Sequence, residues 1–182
     1  ELEVNHAMGI QAMLPVVFPQ LPIDEPEHAA AMLKKYAAGG TWFDQMTDRL
    51  RSGVDHNRTP MASTVAKTVE QIDEQLSAPP EASLFMSIRT PAAVSEQEAA
   101  EWRGSLAGIV ADVFYPAYGR YRDYIADHVL PASRDENGPG ICHLEGGDEW
   151  FRRAIKRHTS VDLTADEIHE IGLGQIEKLN EE

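Results

Sequence analysis

The sequence has 182 residues, 42% hydrophobic and 7% aromatic, which supplies enough apolar material for one core. A net charge of −14, from 30 acidic against 16 basic residues, repels phosphate backbones and anionic bilayers, so nucleic acid is excluded as a natural partner. A single cysteine, Cys142, rules out an internal disulfide framework and a thiolate metal cage, and no run approaches the ~20 apolar residues of a membrane span.

Breaker residues cut the chain into helix-length blocks. Leu2–Leu14 reads as a first helix, stopped by Pro15 and Pro19. Asp24 is a cap for a second, with Pro26 in its first turn and Glu25 and Glu27 near the positive end of the dipole, running to about Ala38 before Gly39-Gly40. Thr41 then caps a third, with Trp42, Met46 and Leu50 on one stripe, ending near Gly53.

Thr59 and Pro60 are expected to open the next helix, whose apolar face is Met61, Val65, Val69, Ile72 and Leu76, with Pro79-Pro80 ending it. Ser95 and Glu98 have the spacing of a capping box, followed by buried Trp102, Leu106, Ile109 and Val113. Pro116 predicts a break. Tyr118, Tyr121, Ile125 and Val129 carry another helix to Pro131.

Arg134–Gly147 is the one long irregular stretch, with Gly138, Gly140, Gly146 and Gly147 and a short extended piece at Ile141–Leu144. Asp148–Arg157 reads as a helix. Thr164 and Glu167 form a second capping box before Ile168, Ile171, Ile176 and Leu179, which share one face. The expected fold is all-α, an irregular multi-helix bundle spanning residues 1–182 as one segment. The chain starts at Glu1 without an initiator Met and stops at Glu182 inside a helix, so it is expected to be a part of a larger protein.

Seven histidines prompt a search for metal ligands. His169-Glu170 opens like a zincin helix, but that motif needs a second His four residues on, where Leu173 stands. His158, His169 and either Asp162 or Asp166 would make at most a weak site, and ordinary surface roles are expected. Cys142 and His143 are adjacent, so their side chains diverge if the segment is extended, and a nucleophile–base pair is not expected. Gly146-Gly147 lacks the Lys-Ser/Thr of a phosphate loop; it reads as a turn that feeds a helix N-terminus and can line a binding cleft. Tyr115, Tyr118, Tyr121 and Tyr124 drift around their helix, so some are core and others rim.

From residue 140 the run GICHLEGGDEWFRRAIKRHTSVDLTADEIHEIGLGQIEKLNEE resembles a recurring block of a bacterial family, domain of unknown function 885. The matching positions are Gly140, Leu144, Gly146-Gly147, Trp150-Phe151, Thr159 and Glu167 to Gly172. An upstream block, Gly53, Arg58-Thr59-Pro60 and Val69 to Ile72, is also similar. Trp150 and Phe151 stand where the family usually has tyrosines.

The resemblance implies a long, mostly helical protein similar to gluzincin-type zinc metallopeptidases, with its HExxH motif downstream of this block. No such motif occurs here, so no catalytic residue and no metal ligand is carried over. By this resemblance the chain is the N-terminal helical scaffold of a zinc-dependent hydrolase or peptidase, one wall of a substrate cleft, with zinc held elsewhere in the parent. Its partners would be the remainder of its own chain and a peptide substrate. Cleft candidates are His143, Gly146, Gly147 and Trp150. The competing class is a non-catalytic helical module that binds a protein partner. The lone cysteine fits a reducing compartment, and a cytoplasmic location is the expectation.

Overall fold

A computed structural model describes residues 4–92 and 94–181. The described residues are helices and turns, with one isolated bridge between Met61 and Arg134 and no sheet. The helices are α1 (Ile10–Val17), α2 (Pro26–Ala37), α3 (Gly39–Asp55), α4 (Ala62–Ser77), α5 (Glu96–Ile109), α6 (Tyr115–Tyr124), α7 (Gly147–Thr159) and α8 (Ala165–Glu181). Contacts divide the chain into two compact units, residues 1–136 and 137–182. The all-α expectation holds.

Several boundaries differ from the sequence reading, each for a physical reason. The first helix does not stop at Pro15: α1 contains it. Proline has no N–H for the Gln11 carbonyl, and that carbonyl instead accepts from the Gln75 side-chain amide at 2.8 Å. Upstream, the Asn5 side chain accepts from the amides of Ala7 and Met8, a local turn that keeps residues 5–9 out of the helix.

At α2 the cap position is Glu25 rather than Asp24. Pro26 occupies the first turn and forces its predecessor into extended backbone, φ −118° and ψ 153°. Next, α3 starts at Gly39 directly after α2, not at Thr41. At α4 the cap is Met61. Pro60 is drawn into extended pairing instead, with the Arg134 amide donating to the Pro60 carbonyl at 3.0 Å and the Ala62 amide to the Arg134 carbonyl at 2.8 Å.

Pro116 does not break the chain. Residues 110–114 form a π-turn in which the Tyr115 amide donates to the Val110 carbonyl, and α5 runs through it into α6. Pro116 has no N–H for the Asp112 carbonyl, and one wider turn relieves both the missing bond and the ring clash. A second π-turn, Ile125–Val129, closes with the Leu130 amide on the Ile125 carbonyl at 2.8 Å, just before Pro131. The stretch expected to be extended at Ile141–Leu144 is a single 3₁₀ turn, Ile141–His143.

The first unit is built around aromatic rings. Phe114 packs against Tyr36 at 4.9 Å and Phe85 at 5.0 Å between centroids, and Phe43 against Tyr118 at 5.1 Å. Tilted and edge contacts of this kind add to the burial of the rings themselves. Buried polar tips are satisfied: Tyr36 Oη donates to the Phe85 carbonyl at 2.8 Å, and Trp102 Nε1 to the Ala29 carbonyl at 2.9 Å. Gln11, itself buried, donates to Gln71 Oε1 at 2.9 Å, and Tyr118 Oη donates to Gln75 Oε1 at 2.6 Å, so polar side chains tie α1 and α6 to α4. At the surface Arg122 makes a two-pronged bond to Asp73 at 2.7 and 2.8 Å, joining α6 to α4 again.

Candidate functional site

The sequence-derived candidates lie in the second unit, around the start of α7. Gly140 has φ +83° and Gly146 φ +71°, conformations that favour glycine. After the 3₁₀ turn, Leu144 is buried and its carbonyl accepts the Gly147 amide at 2.8 Å. Gly147 is the buried first residue of α7, and a methyl group there would stand 1.7 Å from the Ile141 carbonyl oxygen. These glycines therefore have structural work: Gly140 and Gly146 turn the chain, and Gly147 lets two backbone segments touch.

His143 is exposed at the end of the 3₁₀ turn, and Trp150 is half-buried one turn into α7, its amide on the Gly146 carbonyl at 3.2 Å. Glu149, in the first turn, is engaged by Arg153 at 2.8 Å and Arg152 at 2.9 Å. Those two guanidinium groups, Arg153 foremost, hold its carboxyl below the usual carboxylate range. The helix start is thus balanced by its own residues. Cys142 is a free, exposed thiol.

Among the described residues no three His, Cys, Asp or Glu side chains come together in a way that could hold a metal ion. His158 closes α7 and His169 lies in α8, while Asp162 is drawn to Lys156 at 3.6 Å.

Two recesses of the first unit were not read as sites from the sequence. One, about 210 Å³, is bordered by Leu50, Val129 and four positions of the family-like upstream block, Gly53, Arg58, Thr59 and Pro60. The other, about 200 Å³, lies between α1, α2 and α3, with Leu14, Phe18, Met32, Trp42 and Phe114 on its walls and Lys35 the charged residue among those that line it. Trp42 is 36% exposed at its edge. Its signal in the sequence was the stripe Trp42, Met46, Leu50, of which Leu50 is buried and Met46 half-buried while Trp42 reaches the surface.

Fold and site define an all-helical protein with an aromatic core. The chain belongs to a bacterial family of proteins of unknown function, domain of unknown function 885, whose model matches residues 2–182. No curated protein matches it. Among solved structures it is similar to a putative lipoprotein from Colwellia psychrerythraea, with a TM-score of 0.86 at 19% sequence identity. The likeness covers 97% of this chain and 31% of that one, so the chain spans under a third of that protein's length. No helix among the described residues is long and apolar enough to cross a membrane.

Proposed function

We propose that this chain is a helical scaffold within a longer protein, and that α8 is the face by which it docks onto the remainder of that protein. The carrying observation is the exposure of Ile171 (53%), Leu173 (43%), Ile176 (56%) and Leu179 (68%) on a helix without a single buried residue. Ile168, Ile171, Ile176 and Leu179 share one face and Leu173 flanks it. A stripe of this kind on a monomer marks an interaction surface. Gly172 and Gly174 sit mid-helix with open space where a Cβ would stand, and each costs the helix about 1 kcal/mol relative to Ala. Gly172 lies on the apolar face itself, and close approach of a second element there supplies a reason for it. The similar lipoprotein, more than three times as long as the matched region, supports a large remainder as the occupant.

Within that protein the reading is one wall of a substrate cleft, with His143, Gly146, Gly147 and Trp150 at its edge. Hydrolysis of peptides with zinc, as the family resemblance implies, would be the work of residues outside this chain, and no step is assigned to any residue here.

The test is a pair of substitutions, Ile176→Asp with Leu179→Asp, made in the 182-residue chain and in the longer protein. The expected outcome is an unchanged melting midpoint for the short chain and a loss of several degrees for the long one. Equal midpoints in the longer protein would show α8 to be an ordinary solvated helix.

A further inference from the structure

The recess beside Trp42 has the chemistry of a ligand site. Its walls are side chains of Leu14, Phe18, Met32 and Phe114, from elements as far apart in sequence as α1 and the π-turn. The π-turn Val110–Phe114 ends on Phe114, and Gly39 provides the space for that ring, since a methyl there would lie 2.2 Å from Phe114 Cε2. Such turns concentrate at functional sites because they re-aim a side chain without ending the helix. Here the re-aimed ring forms part of the recess.

The polar groups are few. Tyr36 lines the recess, but its hydroxyl is already given to the Phe85 carbonyl at 2.8 Å. Lys35 is exposed, and no acidic side chain pairs with it among the described residues. An apolar hollow with one cation on its lining suits an amphipathic anion.

We propose that this recess binds a short aliphatic carboxylate, with the alkyl body against Leu14, Met32 and Phe114 and the carboxylate on Lys35. Volume sets the size: the recess holds about 200 Å³. An apolar cavity of about 150 Å³ takes benzene, and drug-sized pockets begin near 300 Å³, so about six to eight carbons fit. The net charge of −14 opposes an anion at long range, but at physiological salt a field is screened within about 8 Å, and the contact with Lys35 decides. This site is independent of the docking face on α8.

The experiment titrates octanoate and 1-octanol into the 182-residue chain by calorimetry, with Lys35→Gln and Trp42→Phe alongside. Octanoate is expected to bind with Kd on the order of 0.1–1 mM. Lys35→Gln should weaken octanoate about five- to tenfold and leave octanol unchanged. Octanoate should shift the tryptophan emission of the parent chain, and Trp42→Phe should abolish that shift. Because Lys35 is exposed, its substitution leaves the core intact and the folding of the variant is not in question. Equal binding of octanoate by Lys35→Gln, or no binding of octanoate at about 5 mM, on the order of ten times the expected Kd, overturns the proposal. So does octanoate binding by the short chain that vanishes in the longer protein, which would make the recess an internal interface.

Discussion

A methyl group on Gly39 would stand 2.2 Å from Cε2 of Phe114, so the first residue of α3 and the last residue of the π-turn share one volume. Neither can change without the other. The ring cannot retreat, because Tyr36 and Phe85 hold it from two further sides.

Gly39→Ala is therefore expected to destabilise the first unit by about 1–3 kcal/mol, as overpacking does, even though Ala favours helix by about 1 kcal/mol over Gly. Phe114→Leu in the same background should recover part of the loss. Urea denaturation of the single and double variants measures both. A Gly39→Ala chain as stable as the parent would mean that the ring is free to move.

Gly146 and Gly147 are adjacent but should respond differently. Gly147→Ala puts a methyl 1.7 Å from the Ile141 carbonyl oxygen, a backbone atom that cannot rotate away. Gly146→Ala meets nothing within 4 Å and bears only the strain of φ +71°, about 1–2 kcal/mol. Hydrogen exchange at the α7 amides should show Gly147→Ala opening the start of the helix far more than Gly146→Ala.

Both capping boxes read from the sequence are formed. Ser95 Oγ accepts from the Glu98 amide at 3.3 Å while Glu98 accepts from the Ser95 amide at 2.8 Å. In α8 the Thr164 amide donates to Glu167 at 2.7 Å and the Glu167 amide to Thr164 Oγ1 at 3.2 Å. Thr164→Ala should lower helix stability on the order of 1 kcal/mol, read as faster exchange in the first turn of α8.

The same bonds set an acid response. The Thr164 backbone amide, and then its hydroxyl, holds the Glu167 carboxyl below its ordinary range; the Ser95 hydroxyl and then its amide do the same for Glu98. A carboxyl depressed in the folded state contributes stability that is complete above its unfolded pKa and is lost as pH falls through the lowered value. Helix content of α8 should thus fall on acidification below about pH 4.5, and the Thr164→Ala chain should show a weaker dependence in that range. An identical acid titration for both chains would contradict the cap.

At the alkaline end the buried phenols decide. Burial pushes Tyr118 and Tyr36 far above the usual tyrosine range, with neighbouring Tyr121 adding to the effect on Tyr118. These groups keep their protons in the fold and lose them when unfolded above about pH 10, so stability is full below that pH and declines as pH rises past it. Urea midpoints between pH 9 and 11 should fall, and Tyr118→Phe should flatten the decline while losing its bond to Gln75.

The sequence alone settled whatever depends on neighbours three or four residues away. Helical periodicity placed α4 and α8, and the Ser-x-x-Glu and Thr-x-x-Glu spacings located two helix starts, because a cap joins groups within one turn. The missing second histidine at Leu173 likewise shut out a zincin helix within the chain itself. Tertiary structure decided the prolines. Pro15 lies inside α1 with the orphaned Gln11 carbonyl bonded to Gln75, sixty-four residues away, and Pro60 is extended because Arg134 pairs with it. Pro116 passes through a π-turn whose shape suits Phe114 against Gly39. The recess beside Trp42 was invisible for the same reason, since its walls come from segments that meet only on folding. A proline's missing bond and clash are local, but the donor or the space that compensates for them comes from distant parts of the chain, and no local pattern records it.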